Sequence, residues 1–90
     1  MSIPAVPLEK SDALLALRSH LLIDTKFTDS LLELNLLSFF VQKEDTAIGW
    51  VNFIESRYRI DIPDCEVDYF FFSDLNHMIR VINKYAYETL

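Results

Sequence analysis

The chain has 90 residues, of which 51% are hydrophobic and 13% aromatic, with one glycine, three prolines and a formal net charge of −6. That length holds one small domain, and that apolar content builds a core, which excludes a disordered chain. The acidic balance excludes binding to a phosphate backbone, and the scarcity of Gly and Pro argues against an all-β domain with its many turns.

The single Cys65 excludes an internal disulfide, and no Cys/His cluster has zinc spacing, which points to a cytoplasmic compartment. The opening MSIPAVPLEK lacks a charged n-region and a long apolar core, so it does not read as a signal peptide. The longest apolar runs are too short to cross a bilayer. Charge is uneven along the chain. Residues 44–68 carry seven acids against Arg57 and Arg59, a net of −5, whereas residues 1–43 come to −1 and residues 69–90 to zero. A field of one sign attracts basic partner surfaces, and it also serves simply as a solvated face.

Residues 1–8, with Pro4 and Pro7, are expected to form a flexible arm ahead of a single helical domain over 9–90. Ser11 or Asp12 is suited to cap a first helix over 11–23, on which Leu14, Leu15, Leu17, Leu21 and Leu22 recur at helical spacing. His20 lacks a second ligand three or four positions away and reads as a surface residue. Asp24 to Thr28 is a polar break, after which Thr28 or Asp29 can cap the next segment. The run Ser30 to Val41, SLLELNLLSFFV, fits both helical spacing and strand alternation, and its density of apolar residues predicts burial in either conformation.

Asp45 or Thr46 can cap a main helix running to Tyr58, with Ile48, Val51, Ile54 and Tyr58 in one stripe that Trp50 and Phe53 widen. Gly49 inside it costs about 1 kcal/mol relative to Ala, which hints at close packing or a soft point. Arg57 and Arg59 suit the negative end of its dipole. The aromatic run Tyr69 to Phe72 is expected to pack in the core. Ser73 or Asp74 then caps a last helix whose apolar face is Leu75, Met78, Ile79, Ile82 and Tyr85 or Ala86. Helical segments with short breaks and one long connection describe an all-α helix bundle.

Trp50 to Glu66 carries a more specific pattern. Phe53, Ile54, Glu55 and Tyr58 end a helix, and Ile60, Ile62, Pro63, Asp64 and Glu66 follow in an I-x-I-P-D-x-E arrangement. Upstream, Ser30, Leu31, Leu32, Glu33, Leu34, Asn35, Leu36 and Leu37 follow S-L-F-E-L-G-L-L, with Asn35 in place of the Gly; both residue types tolerate positive φ. Phe72, Ser73, Asp74 and Leu75 approximate a third motif. Together these resemble the acyl and peptidyl carrier proteins. The resemblance implies a small four-helix bundle with a long first loop. It also implies a non-catalytic protein that carries thioester cargo on a 4′-phosphopantetheine arm. The implied partners are a phosphopantetheinyl transferase and acyl- or aminoacyl-handling enzymes, met through an acidic surface with Glu44, Asp45 and Glu55 as docking acids.

Three alternatives stand for the attachment site. Ser38 follows Asn35-Leu36-Leu37 and lies 25 positions before Pro63. Ser30 sits in a literal Asp29-Ser30-Leu31, 33 positions before Pro63. Without gaps, the attachment position falls on Glu44, 19 positions before Pro63, which implies a carrier fold with no prosthetic group, acting as an interaction or scaffold subunit. The apolar excess is compatible with a homodimer. Other chemistries lack their residues. There is no Gly-rich phosphate loop, and Cys65 with His77 lacks a third group. Asp61, Asp64, Glu66 and Asp68 lack the pattern of a calcium loop.

Overall fold

The computed structural model describes residues 7–42 and 44–87; for Glu44 the backbone alone is described. Six α-helices follow in order: α1 Lys10–Leu21, α2 Asp29–Leu34, α3 Leu36–Val41, α4 Glu44–Tyr58, α5 Tyr69–Ser73 and α6 Leu75–Tyr87. One 3₁₀ turn, Asp64–Glu66, precedes α5. Among the described residues there is no strand, and no helix is long and apolar enough to cross a membrane. The fold is all-α, as the spacing of apolar residues predicts. Helix α1 packs on α4 and α6, α3 packs on α4 and α5, and α5 packs on α6.

The apolar run 30–41 resolves into two short helices. Leu32, Leu36 and Phe40 stand four apart and are all buried, which is the helical period carried across a break at Asn35. Thr28 caps α2, its Oγ1 accepting the Leu31 amide at 3.3 Å. Asn35 does not use positive φ; at φ −113° it joins the two helices, and its Nδ2 donates to the Leu31 carbonyl at 2.8 Å. Nor is the run buried as a whole. Leu34 is 80% exposed and Val41 67%, because two helical turns turn part of any continuous apolar run outward.

The same geometry corrects the stripe of α4. Its buried side chains are Trp50, Ile54 and Tyr58, while Ile48 is exposed and Phe53 lies at the edge. Ile48 and Trp50 are about 200° apart on a helix, so one must face out, and the indole has the larger area to hide. In α1, Ala13, Leu14 and Leu17 are buried, and Leu15 and Leu22 are exposed. Its N-cap is Glu9, with no side-chain cap bond, rather than Ser11 or Asp12. Four consecutive aromatics cover a full helical turn, so Phe71 is buried, Phe72 half-buried, and Tyr69 and Phe70 exposed, against the expectation of a packed run. Asp74 caps α6 by accepting the His77 amide at 3.1 Å, and Leu75, Met78, Val81 and Ile82 form its buried face.

The expected arm falls mostly on residues 1–6, outside the described residues. Leu8, at its end, is half-buried and fixed. Its N–H donates to Asn83 Oδ1 at 2.8 Å, and Asn83 Nδ2 donates back to its carbonyl at 3.0 Å.

Two helix ends take the form that usually uses Gly. Leu22 and Arg59 both have φ 54°, and the amides of Ile23 and Ile60 reach back five residues to the carbonyls of Arg18 (3.1 Å) and Glu55 (3.0 Å). Leu22 is 85% exposed, so its side chain contributes little there. Replacing Leu22 by Gly is expected to raise stability by about 0.5–1 kcal/mol, read as an increased denaturant midpoint, because the left-handed backbone strain disappears. A second prediction concerns Gly49. A Cβ there would stand 3.3 Å from His20 Nε2. Gly49→Ala should therefore realise its helix-propensity gain of about 1 kcal/mol more fully in a His20→Ala background than in the parent, measured as a double-mutant cycle of unfolding free energies.

Candidate functional site

Ser38 is exposed, at the third position of α3 and thus in its first turn. Among the described residues no hydrogen bond engages its hydroxyl. Its neighbours divide by helical geometry: Leu36 and Phe40 point into the core, and Phe39 packs edge-on against Phe27 at 5.3 Å between ring centroids. Ser30 is also exposed, in the first turn of α2. Asp29 beside it pairs with Arg18, whose Nε and Nη2 lie 3.1 and 3.0 Å from Asp29 Oδ1, and Arg18 Nη2 also donates to the Phe27 carbonyl. This pairing fixes the chain between α1 and α2.

Glu44 is the first residue of α4 and Asp45, beside it, is exposed. Negative charge at a helix N-terminus is favourable. Glu55 is placed differently. It is half-buried, and its Oε2 accepts the amide of Ile62 at 2.9 Å. Because its backbone carbonyl also accepts Ile60, Glu55 holds the turn after α4 twice. Asp45 and Glu55 are ten residues apart, about 15 Å along the axis and about 80° around it, so they do not form one contact point.

The other acids of the 44–68 stretch are also dispersed. Asp68 caps α5 by accepting the Phe71 amide at 3.1 Å. Glu66 Oε2 accepts from Lys84 Nζ at 3.2 Å and from Tyr85 Oη at 3.0 Å, which ties the 3₁₀ turn to α6. Among the described residues no three His, Cys, Asp or Glu side chains gather to hold a metal. Cys65 is exposed, and His77 lies half-buried against the edge of Phe70. His20 is half-buried too, packed against Trp50 at 5.5 Å and Phe53 at 6.0 Å between centroids, which explains the glycine beside them.

Two features escaped the sequence. The Glu66–Lys84–Tyr85 group spans 18 and 19 positions, and no local pattern signals it. The second is Trp50, fully buried, whose indole Nε1 has no acceptor among the described residues. An unpartnered buried N–H costs on the order of 1–3 kcal/mol, so it calls for a reason. It lines a cleft between α1 and α4. A second cleft, on the other side of α4, is lined by Ile48, Val51, Ile62, Val67 and Phe72.

No family model, no curated protein and no solved structure matches this chain.

The Glu66 group titrates. Hydrogen bonds from Lys84 and then Tyr85 hold the Glu66 carboxyl below its ordinary range. The bond to Glu66 raises Lys84, and desolvation, followed by the Glu66 bond, raises Tyr85. A carboxyl whose folded value is depressed contributes stability above its unfolded value and loses it as pH falls through the folded one. Parent and Glu66→Gln should therefore differ in thermal midpoint at neutral pH and converge in acid, with Glu66→Gln showing the flatter profile below pH 5.

Proposed function

We infer that this chain is a carrier protein of the acyl or aminoacyl type. A 4′-phosphopantetheine arm on Ser38 holds thioester cargo for fatty-acid, polyketide or nonribosomal-peptide biosynthesis in the cytoplasm. The observation that carries this reading is the exposed Ser38 hydroxyl in the first turn of α3. A phosphopantetheinyl transferase needs such a hydroxyl free of other bonds and open to solvent. The sequence of elements supports it as well. Helices α1, α4 and α6 have 12, 15 and 13 residues, a long connection precedes α4, and a short helix precedes α6. In this reading α1, α4, α5 and α6 are the four helices of a carrier bundle, and α2 and α3 ride in its first loop. The protein itself catalyses nothing. Exposed Asp45 and the start of α4 meet basic patches on the transferase and on the acyl- or aminoacyl-handling enzymes.

One observation favours a second reading. Nineteen positions before Pro63 the resemblance expects the modified serine, and there α4 begins with Glu44, followed by Asp45. Two carboxyl residues occupy the helix end where a phosphodiester would otherwise be favoured. On that reading the fold is a scaffold without an arm.

Incubation with coenzyme A and a broad-specificity phosphopantetheinyl transferase, followed by intact mass, separates the two. The expected outcome is a gain of one phosphopantetheine by the parent and none by Ser38→Ala. A gain that survives the substitution moves the site to Ser30. No gain in either chain, with a known carrier modified in the same tube, leaves the scaffold.

A further inference from the structure

Helices α1 and α4 lie side by side and present an apolar face that no other described element covers. His20, near the end of α1, packs on Trp50, near the beginning of α4, so the two helices run in opposite directions. On α1, Asp12, Leu15, Ala16 and Ser19 stand at i, i+3, i+4 and i+7 and share one stripe. On α4, Phe53 and Arg57 stand four apart. Asp12, Leu15, Ala16, Phe53 and Arg57 border one cleft of about 490 Å³ between the two helices. Leu15 is 67% exposed and Phe53 39%, so both walls of the cleft carry apolar area into solvent.

Charge on this face is self-complementary. The ion pairs among the described residues are Lys10–Glu33, Arg18–Asp29 and Lys84–Glu66, so exposed Asp12 and Arg57 are engaged in none. Heights along the helices follow from the His20–Trp50 contact. Asp12 lies eight residues back along α1 and Arg57 seven residues on along α4, about 12 and 10.5 Å at 1.5 Å per residue. Leu15 and Phe53 lie five and three residues from the same contact, about 7.5 and 4.5 Å. Acid and base therefore stand nearly level on adjacent helices, with the apolar pair next to them. A twofold axis parallel to the helices lays α1 of one copy on α4 of another. That single operation sets Asp12 opposite Arg57 of the second copy and Leu15 opposite Phe53 of the second copy, and each contact occurs twice. A partner of one charge sign would meet either Asp12 or Arg57 with its own sign. The helices are about 18 and 22 Å long and pack about 10 Å apart, a face of about 20 by 20 Å, so two copies bury on the order of 1,000 Å², the lower limit for a specific interface.

We propose that the α1–α4 face binds a second copy of this chain, forming a reversible symmetric dimer. Leu15 and Phe53 of the two copies make its apolar centre, and two Asp12–Arg57 pairs between copies flank that centre and fix its register. The interface is independent of any arm on Ser38, which lies on α3, and dimerisation neither requires nor excludes modification there.

Sedimentation velocity of the full chain from about 1 μM to about 1 mM tests this. The parent is expected to pass from monomer to dimer as concentration rises. Leu15→Glu should abolish the dimer, because it sets a carboxylate against Phe53 of the second copy. Asp12→Arg and Arg57→Asp, each alone, place like charges opposite one another twice and should weaken dimerisation at least about tenfold. An equimolar mixture of the two variants restores opposite charges at both contacts and should form a heterodimer that neither forms alone. All three substitutions are at exposed positions, and rescue by mixing is a readout that misfolding would not give. Ile48→Glu, in the cleft on the other side of α4, should dimerise as the parent does. The proposal is overturned if the parent stays monomeric at every concentration, which leaves the cleft to a different occupant. It is equally overturned if the dimer survives Leu15→Glu, if Ile48→Glu abolishes it, or if the mixture of charge variants remains monomeric.

Discussion

Burial of the Trp50 indole is the constraint on which the rest of the packing depends. Its ring meets His20 of α1, Phe40 of α3 and Phe53 of its own helix, so one side chain sets the separation of three elements. Full burial of so large a ring is the biggest single apolar contribution available to a domain of this size. It also has consequences that run against local preference. It fixes the rotation of α4 and leaves Ile48 outside. It brings α1 so close that a Cβ at the position before it would stand 3.3 Å from His20 Nε2, and that position is Gly49, at a cost in helix propensity. And it places an indole N–H where no acceptor among the described residues reaches it.

Glycine use shows the same priority. The only glycine in the chain stands where two helices approach, not where a backbone turns left-handed. The left-handed positions are filled by Leu22 and Arg59, which pay a conformational cost to let Ile23 and Ile60 fold back on the core.

The acidic stretch is less a uniform field than its composition suggests. Glu55 holds the turn that ends α4, Glu66 joins the 3₁₀ turn to α6, and Asp68 caps α5. Each of these carboxylates replaces water with a backbone amide or a hydroxyl, and so specifies how the chain travels from α4 to α6. Asp45, Asp61 and Asp64 remain exposed. Exposed Tyr69 and Phe70 lie just beyond them in the chain, so the same stretch presents both charge and aromatic surface.

The sequence by itself determined the helical class, the main break points and the caps at Thr28 and Asp74, because hydrophobic period and capping chemistry act within one or two turns. Leu75, Met78 and Ile82 on α6 and the cap at Asp74 follow from spacing alone. The resemblance around Ile62 and Pro63 names candidate site residues without placing them. What only the tertiary structure decided is which side of each helix faces in. Periodicity placed both Ile48 and Trp50 on the face of α4, and both Leu14 and Leu15 on that of α1, and which of each pair turns in depends on the neighbours' volumes. The exposure of Ser38, the internal engagement of Glu55, the Glu66–Lys84–Tyr85 group and the cleft with its unpaired indole are equally non-local. Each joins residues from different elements, and no pattern within a single segment encodes a distance between two of them.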